Sequence, residues 1–187
     1  MNDIDVSENQ IIVIDDFLPT RLQDDIEDLL HDGYFPYYFD AKTNLYNENE
    51  FDVSQFIHNF YKDGNISQWW ECVKPLFYFL EQKLQIYPYE IERVKANFQL
   101  PYPVKQHHPL HFDSDAENAY SLLYYVNDSD GDTVFSLNNS LEHISPKKGR
   151  AIFFRSSILH AGSSPNTSDT RVVINSVAHF DLSTLSD

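Results

Sequence analysis

From residue 90 onward the chain is a succession of short strand-forming runs, IERVKANFQL, AYSLLYYVN, DTVFSL, GRAIFFRSS and TRVVINSVAHF, parted by turn-rich pieces such as NDSDGD and SSPNTSD. Runs of this length, rich in β-branched and aromatic residues and bounded by Asn, Asp, Gly and Pro, read as strands of a meander. The first half has a different texture. IIVIDDFLP (11–19) is a strand closed by a proline, and Thr20 to His31 then places Leu22, Ile26, Leu29 and Leu30 on one helical face, with Gly33 as a stop. YFPYYFD (34–40) reads as extended and AKTNLYNENE (41–50) as a polar surface loop. Two more helices are expected, around 52–62 and 67–85, the second carrying Trp70, Val73, Leu76, Phe77, Leu80 and Leu84 at helical spacing with Pro75 placed to kink it. Helices first and strands after describe an α+β protein in which N-terminal helices brace a β-sandwich or barrel of the jelly-roll type.

At 187 residues the chain has the length of one domain, with helical support over 1–90 and a β core over about 90–180. The apolar faces of the helices need the sheet to cover them, so the two halves are read together. A formal charge of -16, from 13 basic and 29 acidic residues, repels phosphate backbones and anionic lipid surfaces, so nucleic acid and membrane are disfavoured as partners. The one cysteine, Cys72, has no internal disulfide partner, and its helical setting reads as packing. The polar N-terminus MNDIDVSENQ lacks the apolar core of a signal peptide and no run reaches membrane-spanning length, from which a soluble, cytoplasmic protein is expected.

The densest chemistry lies in QHHPLHFDSD (106–115). In an extended segment residues two apart project together, so His111 and Asp113 share a face. An imidazole and a carboxylate so placed are two of the three ligands of the two-histidine, one-carboxylate triad that holds non-haem Fe(II); a hydrogen-bonded surface couple is the plain alternative. His160, on the loop after AIFFRSSIL, reaches the same mouth if the sheet closes on itself, and is preferred as third ligand over its rivals His143 and His179. His107 and His108 read as loop residues beside the entrance. On RVVINSVAHF, Arg171, Val173 and Asn175 share one face and Val172 and Ile174 the other. A buried guanidinium there needs an anion, either an internal carboxylate or a ligand.

At HFD (111–113), YYVN (124–127) followed by DGDTVF, ISPKKGRAIFF (144–154), His160 and RVVIN (171–175), the sequence resembles the Fe(II)- and 2-oxoglutarate-dependent dioxygenases, especially their prolyl-4-hydroxylase-like branch. The resemblance covers roughly residues 90–180, and VIDDFLP with its helix is similar to the family's N-terminal start. It implies a double-stranded β-helix, a distorted jelly roll, with helices outside it. It further implies that His111, Asp113 and His160 bind iron, that Arg171 pairs with the distal carboxylate of 2-oxoglutarate, and that Tyr125 assists that carboxylate, with Tyr102 and Asn97 as weaker neighbours of the cosubstrate. DGDTVF has one glycine where relatives often have two, which leaves the turn geometry open.

The activity so implied is hydroxylation of a C–H bond in a peptide, prolyl by family analogy, or in a small molecule, with Fe(II), 2-oxoglutarate and O2 consumed to succinate and CO2. Asp113 argues against the halogenating relatives, whose carboxylate is replaced by a small residue. The alternatives are a nucleic-acid dealkylating oxygenase, which needs a basic groove, and a non-catalytic cupin-like metal-binding module, in which no partner arginine is expected at this spacing. Neither the substrate nor the oligomeric state is encoded in the loops.

Overall fold

Alternation of side chains along the strands sorts the apolar residues of this chain into two cores. The computed structural model describes residues 10–41, 53–104 and 106–182. In chain order these form β1 (Ile11–Ile14), α1 (Thr20–His31), β2 (Tyr38–Asp40), β3 (Gln55–Lys62), β4 (Asn65–Ile66), α2 (Trp70–Val73), α3 (Pro75–Leu84), β5 (Glu90–Gln99), β6 (Ala119–Tyr125), β7 (Thr133–Leu137), β8 (Ser140–Ile144), β9 (Ala151–Arg155), β10 (His160–Gly162) and β11 (Arg171–His179). The larger sheet runs β1-β9-β6-β11-β5-β3-β2, with β4 paired to β3, and the smaller runs β10-β7-β8. Every strand pairing among the described residues is antiparallel, and single bridges His111↔His160 and His107↔Ser163 lay the segment before Asp113 against β10. This is the expected jelly-roll arrangement of two facing sheets with helices on one outer face.

On β6, Tyr120, Leu122 and Tyr124 point outward into one cluster with Ile26 and Leu30 of α1, and Leu76, Leu80 and Leu84 of α3. Leu123 and Tyr125 point the other way and meet Phe135 and Leu137 of β7 between the sheets. Each large apolar side chain removed from water contributes about 1.5–3 kcal/mol, so a one-residue slip that exchanged the faces of β6 is strongly opposed. On β11 the same rule puts Val172 and Ile174 against the helices and leaves Arg171, Val173 and Asn175 on the inner face. Among the described residues, no helix is long and apolar enough to cross a membrane.

Two expectations about the first half require correction. Residues 55–62 are a strand, not a helix: QFIHNFYK is dense in β-formers, and the Asp63-Gly64 pair after it takes positive φ at both positions (52° and 77°), the conformation of a tight hairpin turn. The segment 67–85 is two helices, because Pro75 opens α3 instead of kinking one continuous helix; a proline lacks the N–H an interior position needs but fits a first turn. The residues expected to be buried there are, with Val73, Leu76, Phe77, Leu80 and Leu84 in the core. Helix α1 stops at His31, where Asp32 turns extended (φ −64°, ψ 128°), one residue before Gly33. All of the polar loop at 41–50 except Ala41 lies outside the described residues.

Candidate metal and anion site

Two segments, residues 111–113 and β10, deliver His111, Asp113 and His160 to one place between the sheets. The antiparallel bridge holds His111 and His160 opposite each other through N–H to carbonyl bonds in both directions, of 2.9 and 2.8 Å. The backbone N–H of Asp113 donates to Ser156 O at 2.9 Å, which turns its side chain inward. One ligand atom from each of the three residues lies within 4.8 Å of the others. The rivals stand apart: His143 is exposed beside Asp132, and His179 faces Glu92. His107 bonds to the His108 carbonyl, and His108 is buried against Gln99 and Ser164.

The proton positions in this cluster follow from its hydrogen bonds. His111 Nδ1 lies 3.2 Å from Pro109 O and His160 Nδ1 lies 2.9 Å from Ile158 O. A carbonyl only accepts, so Nδ1 carries the proton in both rings, and in the neutral imidazole Nε2 is then a bare lone pair. His160 Nε2 sits 3.5 Å from Asp113 Oδ2. Burial, followed by the neighbouring His160, pushes the His111 pKa down to about 4, so this ring is neutral at pH 7. Burial alone would raise the Asp113 carboxyl, but His160, Arg93, His111 and the Ser121 hydroxyl overcome it and hold the group well below the usual carboxylate range. With both Nδ1 atoms turned to carbonyls, the two Nε2 atoms and the ionised Asp113 carboxylate are the donor atoms this cluster offers to a cation. The set fits a divalent metal of the non-haem iron type.

Asp113 is held from three sides. Arg93 donates to Oδ1 at 3.0 Å, Ser121 to Oδ2 at 2.8 Å, and the Asn175 amide to both oxygens at 3.2 Å. Such contacts around a ligand set its orientation and basicity.

From this cluster a cavity runs along β5 and β11 to Arg171, past Lys95, Asn97 and Gln99. Arg171 is 3% exposed, and its donors go to Gly131 O (2.7 Å), Gln99 Oε1 (2.9 Å) and Thr133 Oγ1 (2.8 Å), all uncharged acceptors. No carboxylate of the described residues pairs with it, so the internal salt bridge allowed by the sequence is not formed. Two glycines make room for the side chain. A Cβ at Gly131 would strike Ser163 O and lie 2.9 Å from Arg171 Cδ, and one at Gly162 would lie 3.2 Å from its NH1 nitrogen. Gly131→Ala is therefore expected to destabilise the protein by about 1–3 kcal/mol, the usual cost of overpacking, read as a lowered denaturation midpoint.

The other expected cosubstrate neighbours divide. Asn97 lines the cavity and its Oδ1 is buried without a partner. Tyr125 is fully buried behind it: its hydroxyl donates to Thr133 Oγ1 at 2.6 Å, and the Arg171 guanidinium carbon lies 5.8 Å from its ring centre. Its action on a ligand would pass through Thr133 and Arg171, which its hydroxyl also faces. Tyr102 does not line this cavity; its N–H bonds to Pro165 O and its carbonyl accepts from Asn166. Sequence reasoning passed over Arg93, Lys95, Gln99, Ser121 and Thr133. The first three were signalled in IERVKANFQL, where Arg93, Lys95, Asn97 and Gln99 alternate with Val94, Ala96 and Phe98, an inward polar face on a strand whose other face is apolar.

A family model described as the 2OG-Fe(II) oxygenase superfamily matches residues 99–179. No curated protein sequence matches the chain. Among solved structures, a viral collagen prolyl hydroxylase from Paramecium bursaria Chlorella virus-1, in its 2OG complex, is similar at 21% identity and a TM-score of 0.58, over 92% of this chain and 97% of that one. A Trichoplax adhaerens prolyl hydroxylase, solved with a hypoxia inducible factor peptide fragment, is similar at 18% identity and a TM-score of 0.63, over 96% and 88%. The nonhaem α-ketoglutarate-dependent epimerase SnoN of nogalamycin biosynthesis is similar at 11% identity and a TM-score of 0.64, over 96% and 83%. At these identities the likeness is one of fold.

Proposed function

We propose, for a chain whose residues 99–179 belong to the 2OG-Fe(II) oxygenase superfamily, that His111, Asp113 and His160 hold the iron of a hydroxylase and that Arg171 receives the distal carboxylate of 2-oxoglutarate. The enzyme is a dioxygenase of that superfamily, with Fe(II), 2-oxoglutarate and O2 as its cofactor and cosubstrates. When bound, these supply the oxidation, in which one oxygen atom enters a substrate C–H bond, the other leaves in succinate, and CO2 is released. The observation that carries the residue assignment is a single cavity with His111 and His160 at one end, beside the Asp113 carboxylate, and at the other a buried arginine with which no carboxylate of the described residues pairs.

The residues of the chain do the binding and orienting. Pro109 O and Ile158 O fix the two Nδ1 protons, so that both Nε2 atoms would be left to hold the metal. Arg93, Ser121 and Asn175 keep Asp113 ionised and in place. Gln99 and Thr133, which accept from Arg171, have donors of their own, and a carboxylate drawn to the guanidinium finds the Thr133 hydroxyl and Gln99 amide beside it. The sheet and helices share one core, which supports reading the helical support and the β core as one domain. One similar structure holds a peptide fragment and another belongs to nogalamycin biosynthesis, which supports a C–H bond of a peptide or small molecule as the target.

The test is anaerobic reconstitution with Fe(II), followed by 2-oxoglutarate and air. The expected results are one iron per chain and succinate released from 2-oxoglutarate in its presence only. Iron binding without 2-oxoglutarate binding would instead describe a metal-binding module without this activity.

A further inference from the structure

Among the cations that face the cavity, one has nothing to bind. Arg93 is paired with Asp113, and Arg171 lies at the end assigned above to the cosubstrate. Lys95 lines the same cavity, part-buried, and forms no hydrogen bond or ion pair within the described residues. Its position in the sheet is defined by register: on β5 it stands opposite Asn175 of β11 on one side and Asn59 of β3 on the other. Asn175 is the residue whose amide bonds both oxygens of Asp113, so Lys95 stands at the level of the metal ligands, on their open side. Arg171 is four residues from Asn175 along β11, a separation of about 13 Å at about 3.3 Å per residue, so the two cations serve opposite ends of the cavity.

The surroundings do not neutralise the ammonium. Burial first, and then Arg93, push its pKa down to about 8, against the more distant pull of Asp113 and Asp40, so that it still carries its proton at pH 7. The protein has 29 acidic residues to 13 basic, yet no carboxylate of the described residues forms an ion pair with this group. Two residues along the same face, Asn97 presents a buried Oδ1 that also lacks a partner. An unpaired cation beside an unpaired acceptor, both turned into a cavity, is the complement of a ligand bearing an anion and a donor.

We propose that Lys95 binds a carboxylate of the substrate, which makes the molecule oxidised a small acid, such as a free amino acid, held by its carboxylate with a C–H bond turned to the metal. This rests on the functional reading above. Under that reading the two carboxylates of 2-oxoglutarate are taken by Arg171 and the metal, and the acid on Lys95 is a second molecule.

The experiment compares the wild-type protein with Lys95→Met and Lys95→Arg, each loaded with Fe(II). Calorimetric titration of 2-oxoglutarate without oxygen comes first. Mass spectrometry then follows the gain of one oxygen in a defined panel: the free amino acids, their carboxamides, and N-acetylated proline-containing peptides ending in carboxylate or amide. Oxygen is expected in free amino acids and not in their carboxamides. Lys95→Met is expected to lower kcat/KM for them about a hundredfold or more, the scale of losing one member of a charge-assisted pair, and Lys95→Arg to lose less. Cosubstrate affinity and melting temperature should not fall in Lys95→Met, since an apolar chain replaces an unpaired charge. Loss of 2-oxoglutarate binding in Lys95→Met would assign Lys95 to the cosubstrate and overturn the proposal. So would a lowered melting temperature, carboxamides oxidised as well as acids, oxygen entering only the peptides, or a panel in which no acid gains oxygen. A wild-type protein that fails to bind 2-oxoglutarate at all would refute the functional reading itself, a result separate from any of these.

Discussion

Arg171→Gln is expected to weaken 2-oxoglutarate binding to the Fe(II)-loaded protein by about two to four decades while iron remains bound. Removing one partner of a buried, charge-assisted pair costs about 3–5 kcal/mol, and about 1.4 kcal/mol is a decade in affinity. The guanidinium is buried among neutral acceptors at Gly131, Gln99 and Thr133, and no carboxylate of the described residues pairs with it, so its anion is expected to arrive with a ligand. Arg171→Lys should recover part of the affinity, keeping the charge and losing the fork. Tyr125→Phe should have a smaller effect on the same constant, since its hydroxyl supports Thr133 and the Arg171 guanidinium from behind; one hydrogen bond of this kind is worth about 0.5–1.5 kcal/mol. Calorimetric titration of the cosubstrate, with thermal melts in parallel, separates this role from a structural one: an arginine that only anchored β7 to β11 would, when replaced, lower the melting temperature and leave the affinity of the folded protein unchanged.

The second large effect is expected at the ligands. Alanine at His111, Asp113 or His160 should abolish succinate release and reduce iron occupancy, each by more than the factor of about 10–100 expected for the supporting residues Ser121 and Asn175. The three should differ in stability. Asp113→Ala leaves the part-buried Arg93 without its carboxylate and should lower the melting temperature of the metal-free protein. His160→Ala strands no such charge and should cost less. Iron stoichiometry after anaerobic reconstitution and metal-free melts check both claims. Full iron occupancy and turnover in His160→Ala would remove His160 from the set, and loss of both in His143→Ala or His179→Ala would restore one of its rivals.

The pairing of the proposed ligands His111 and Asp113 was legible because period-two alternation is a local property: they share a face whatever the rest of the chain does, and so do Arg171, Val173 and Asn175. The helix expected over 52–62 failed for the same local reason, since its aromatic and aliphatic residues suit both periods and the Asp63-Gly64 turn signal that decides between them lies just outside the window. His160 was reachable only on the condition that the sheet closed, and Tyr125 could be assigned to the pocket face but not to its place behind Thr133.

What the sequence alone determined, then, is composition, the alternating faces of its strands and the residue types those faces carry, because side-chain direction follows from backbone geometry within a few residues. Which faces meet was decided by tertiary structure. Lys95 lies opposite Asn175, and Gln99 opposite Arg171, only in the register that β5 and β11 adopt across more than seventy residues of intervening chain. That register is selected by the burial of Val94, Ala96, Val172 and Ile174 against the helices, an energy shared by the whole core and written in no single segment.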